Sequence, residues 1–83
     1  MIYPLCAVRD AKTGFFPCQV EQSVPAAIRN FAMMINNGEG LVGYAPGDFD
    51  FYHVANFDSE KGVVEAVFPI VQLATGLGVM DEK

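Results

Sequence analysis

Basic residues are scarce in this chain: five lysines and arginines stand against ten acids among 83 residues, for a formal charge of -5. Non-specific nucleic-acid binding draws on cations that displace counterions from phosphate, so an acidic chain starts at a disadvantage there unless its bases are gathered on one patch. Long apolar runs are also missing. None approaches the roughly 20 residues that cross a bilayer, and no basic stretch leads into an apolar core at the N-terminus. A soluble cytoplasmic protein without a signal peptide is the expectation. There is one histidine, and the two cysteines, Cys6 and Cys18, have neither zinc-site nor CxxC spacing. Two reduced, buried thiols are expected, with a cross-strand disulfide as the alternative, because closing the first hairpin with Arg9 opposite Phe15 would set Cys6 opposite Cys18. No metal or cofactor set emerges.

What is present is a high apolar share, 52%, in a chain with room for a single domain, 1–83. "IYPLCAVR" and "FFPCQV" are rich in β-branched and aromatic residues and predict a hairpin over 2–20. "SVPAAIRNFAMMINNG" predicts a helix over 23–37. Ser23 is its N-cap, Pro25 lies in its first turn, and Val24, Ala27, Ile28, Phe31 and Ile35 recur at helical spacing. Residues 38–48 read as a loop, and 49–69 as a second hairpin in which Phe57 faces Val63. The segment 70–83 is expected to hold a short helical turn from 70 to 75 stopped by Gly76, then a fraying end. The order is ββαββ: an α+β domain with an antiparallel sheet of two hairpins and one main amphipathic helix. Both faces of the second hairpin read as apolar and one helix covers only one, so a homodimer or higher oligomer is expected.

Two near-copies, "RDAKTGFF" and "FDSEKGVV", space an aspartate and a glycine equally. Too few oxygen ligands lie between Asp10 and Gly14 for a calcium loop, whereas a hairpin turn needs only the aspartate and the glycine. "GEGLVG" lacks the lysine and hydroxyl of a Walker A loop. His53 with Cys6 or Cys18 is the one conceivable nucleophilic pair, and nothing local supports it. The bases are Arg9, Lys12, Arg29, Lys61 and Lys83. Arg9 and Lys12 flank the first turn, and Arg29 lies opposite the apolar helix stripe. With Phe15, Phe16 or Tyr44 nearby they make a small stacking-plus-charge surface for single-stranded DNA; the plainer alternative is that they serve solubility.

"AVRDAKTGFF", "AIRNF" and "PGDFDFYHVANFDSEKG", in that order, resemble the small non-structural protein of gokushoviruses, tailless single-stranded-DNA phages of the microvirus group. The residues carrying the resemblance are Asp10 and Lys12; Ala27, Arg29 and Phe31; Pro46, Asp48 and Phe49; Phe57, Asp58 and Gly62. It spans roughly residues 5 to 69. Ala55 stands where that family has a glycine, "MIYPLC" is more apolar than usual, and "GLGVMDEK" has no counterpart. The resemblance implies a non-enzymatic phage protein of the host bacterial cytoplasm, linked to single-strand genome synthesis and packaging through single-stranded DNA or the replication and procapsid machinery. It implies contacts at Arg29 and Phe31, then at Arg9 and Lys12. An acidic, homo-oligomeric module that binds a host or phage protein without touching DNA is the competing expectation.

Overall fold

The first strand, β1, runs from Ile2 to Asp10 and turns back into two short pieces, β2 (Gly14–Phe15) and β3 (Gln19–Val20). The computed structural model describes residues 1–38 and 45–80. The loop 39–44 with Tyr44, and the tail 81–83 with Lys83, lie outside the described residues. Arg9 does face Phe15, but further along Cys6 faces Gln19 rather than Cys18. Pro17 is the reason. It has no N–H for the ladder, so the return strand breaks there and takes up one extra residue. Cys6 is buried and Cys18 is exposed, both as free thiols, which corrects the expectation of two buried ones.

Helix α1 (Val24–Asn37) follows. The Ser23 hydroxyl accepts from the Ala26 N–H (3.2 Å), Pro25 occupies the first turn, and Gly38 closes the C-terminal end. Its buried positions, Ala27, Phe31 and Ile35, are four residues apart and form one stripe. That stripe packs on Cys6, Phe49 and Phe51, with Val8, Met34, Leu73, Ala74 and Val79 at its margin. The rings of Phe31 and Phe51 stack at 4.9 Å, 6° from parallel.

After a 3-10 turn at Pro46–Asp48 come β4 (Phe49–Asp58) and β5 (Val63–Thr75), and a short helix α2 (Gly76–Val79). All strand pairs are antiparallel, in the order β2-β1-β4-β5 with β3 also on β1. The α+β class and the single main helix agree with the sequence. The arrangement is nevertheless βββαββ with a terminal helical turn, since the return of the first hairpin is split.

Two expectations about the C-terminal third are overturned. Residues 70–75 are strand, and Gly76 starts a helix rather than stopping one. Ile70, Val71 and Thr75 are β-branched and suit a strand, while Leu73 and Ala74 reach the core beneath α1. Pro69 does not end β5 because the strand bulges around it: His53 pairs with Val71 and Ala55 with Ala66, so β5 takes five steps where β4 takes two. The hairpin also closes with Phe57 opposite Val64, not Val63. A one-residue slip exchanges faces, so Val64 and Ala66 share the side of Phe57 and Ala55.

The helix covers one side of one end of this sheet. Leu5, Ala7 and Ala55 are buried outside the helix-facing cluster. The β4–β5 hairpin and the start of β1 extend the molecule to 44 × 23 × 20 Å. Among the described residues, no helix is long and apolar enough to cross a membrane.

Candidate nucleic-acid and partner interface

The two aspartate–glycine repeats are both turns. Asp10 is buried, and its carboxylate accepts from the Lys12 N–H (2.9 Å) and the Thr13 hydroxyl (3.0 Å). Asp58 accepts from the N–H groups of Glu60 (3.0 Å) and Lys61 (3.3 Å). Gly14 (φ 101°) and Gly62 (φ 67°) take the left-handed backbone each reversal needs. With its oxygens engaged by its own turn, Asp10 holds the tip that presents Lys12.

Arg9 precedes this turn on β1. Its guanidinium carbon lies 5.9 Å from the centre of the Phe15 ring, within the range of a cation–π contact. Phe15 in turn meets Tyr52 edge to face, at 5.6 Å and 66°. Alternation along the strands puts these three side chains on one side of the sheet: Arg9 is opposite Phe15, and Ala7, two residues from Arg9, is opposite Tyr52. Phe15 is exposed and Arg9 half-buried. Asp50 stands opposite Arg9 across β1 and β4 and offsets part of its charge. The surface is therefore an aromatic platform with a cation on it, more than a basic patch.

The other two predicted contacts lie elsewhere. Arg29 is exposed on α1, and α1 covers the side of β1 that carries Cys6 and Val8, so the sheet stands between Arg29 and Arg9. Phe31 is only 2% exposed and stacked on Phe51. It is a core residue and cannot offer a ring to a base or a partner, which corrects its assignment as a contact. Tyr52 was not foreseen as part of the platform. Only the β1–β4 register brings it beside Phe15, and nothing near it in the sequence signals that pairing.

Strand register brings Cys6 opposite His53, yet the geometry opposes a nucleophile. Burial, with a smaller contribution from the negative charge of Glu21, pushes the Cys6 thiol up to about 11, whereas a reactive cysteine needs a lowered value. The His53 ring nitrogen Nε2 is engaged with Asn56 Oδ1 at 2.8 Å.

A second surface is apolar. Val63, Val64, Phe68, Ile70 and Val71 are all exposed on β5, with Leu77 and Met80 just beyond.

Set against known protein families, residues 3–79 match the family described as Phage ORF5 protein. No curated protein and no solved structure matches the chain.

Proposed function

Because the chain belongs to the Phage ORF5 protein family, we propose that it is a non-enzymatic phage protein of the gokushovirus non-structural kind. In this reading it acts in the host cytoplasm during single-stranded-DNA genome synthesis or packaging, by contact with single-stranded DNA or the replication and procapsid machinery. The observation that carries it is the Arg9–Phe15–Tyr52 platform with Lys12 at the adjoining turn. Unpaired bases stack on exposed rings with about 1–3 kcal/mol each, without sequence preference. A neighbouring guanidinium and ammonium hold the phosphates. The formal charge of -5 keeps such binding weak and restricted to this corner.

Fluorescence anisotropy with a labelled single-stranded oligonucleotide tests it. Two phosphate contacts predict a slope of about -1.4 in log affinity against log salt, and replacing Phe15 by alanine abolishes most of the binding. No salt-sensitive binding in the micromolar range removes the direct DNA role.

A second reading is an acidic, homo-oligomeric module that binds a host or phage protein without DNA. The exposed apolar strand β5 favours it. Capture of a specific phage or host protein from infected cells, lost when β5 is made polar, distinguishes it from the first.

A further inference from the structure

Strand β5 is an edge. Among the described residues it pairs only with β4, and from Val63 to Thr75 its one charged residue is Glu65. Soluble proteins blunt such edges with lysine and other charges, yet here Phe68, on the bulge beside Pro69, is 92% exposed. Further along the same edge lies a groove of about 480 Å³ lined by Ile28, Gln72, Leu73, Ala74 and Val79 among others. Phe68 does not fill that groove in its own chain: it is not among the residues that line it.

The surface area points the same way. A folded monomer of 9.0 kDa is expected to expose about 4,850 Å², whereas this chain exposes 5530 Å². The excess, roughly 700 Å², includes the exposed side chains of Val63, Val64, Phe68, Ile70 and Val71 on β5. The radius of gyration, 13.1 Å, likewise exceeds the ~12 Å expected for a compact chain of this length.

We propose that a second copy of this chain covers β5. The two copies are related by a two-fold axis, and Phe68 of each enters the groove of the other over Leu73. The contact is reciprocal, each knob filling the other copy's groove, as a closed two-fold contact requires. With one charge in the 13 residues of β5, the acidic chains meet where they carry least charge. Pro69 has no N–H to give across the edge. Recognition therefore rests on the aromatic knob and its groove, and each dimer uses both copies of the site at once. A nucleic acid does not fit here, since β5 has no cation. The inference stands independently of the DNA reading of the first turn.

Sedimentation equilibrium on the full chain tests it. The wild type should weigh twice 9.0 kDa at micromolar concentrations. Phe68→Asp should weaken association by about thirtyfold or more, as loss of a central aromatic anchor does, with an unchanged circular dichroism spectrum. A wild type that stays monomeric, or a Phe68→Asp variant that dimerises equally well, overturns the proposal.

Discussion

The thiol of Cys6 faces the aromatic core beneath α1, and its environment makes a pH prediction. Burial and Glu21 raise it from 9.0 to about 11 in the folded chain. In the unfolded chain it ionises near the ordinary value, so the contribution of this group to stability is complete below pH 9. It declines as the pH rises through 9 and is lost above about 11. The unfolding free energy from urea denaturation should fall over that window by on the order of 2 kcal/mol, and the fall should vanish in Cys6→Ala. Maleimide should label exposed Cys18 rapidly at neutral pH and leave Cys6 untouched until unfolding. Phe31 and Arg29 give the second contrast at this scale. Phe31→Ala removes the ring stacked on Phe51 and should cost about 3–5 kcal/mol of stability, whereas Arg29→Ala, on the exposed face, should change stability by less than about 0.5 kcal/mol. Two cues in the sequence disagreed over Phe31. The helical period placed it in the core and the Ala-x-Arg-x-Phe pattern suggested a contact, and burial shows that the period was the physical signal.

Elements were legible to the extent that their signals are local. Ser23, Pro25 and the four-residue spacing of Ala27, Phe31 and Ile35 all lie within α1, and its bounds, Val24–Asn37, follow from them. Both hairpin turns are likewise written in their Asp and Gly residues. The length of β5 is not local. Pro69 reads as a stop, and only the bulge that carries the strand past it, together with the seat for Leu73 and Ala74 under α1, lets β5 continue to Thr75. The platform divides the same way: Arg9, Lys12 and Phe15 come from one turn and could be read there, while Tyr52 arrives through strand pairing. The junction after β5 is tightly set. A side chain at Gly76 would run into the carbonyl oxygen of Pro46, with that of Phe49 only 2.8 Å away. The Asn36 amide holds α2 by donating to the Val79 carbonyl at 2.8 Å. Gly76→Ala must therefore push α2 off the 3-10 turn. Overpacking of this kind should cost about 1–3 kcal/mol in urea unfolding, and Gly62→Ala, which meets nothing in space, offers a control that isolates backbone strain from crowding.

At the scale of the whole molecule, the platform and the β5 edge lie on different parts of an elongated protomer, and salt acts on them in opposite directions. Two copies each carrying a formal -5 repel on approach, while the strand that joins them is almost uncharged. Salt screens that repulsion: the Debye length contracts from about 30 Å at 0.01 M to about 10 Å at 0.1 M. Added salt should therefore strengthen the dimer several-fold. Binding of single-stranded DNA at Arg9 and Lys12 releases counterions instead, and over the same tenfold rise it should weaken about 25-fold. Sedimentation and anisotropy measured on one preparation across that range separate the two sites without any mutation. A dimer that dissociates as salt rises would be held by ion pairs, which β5 cannot supply, and DNA binding indifferent to salt would be stacking without the two cations that define the platform.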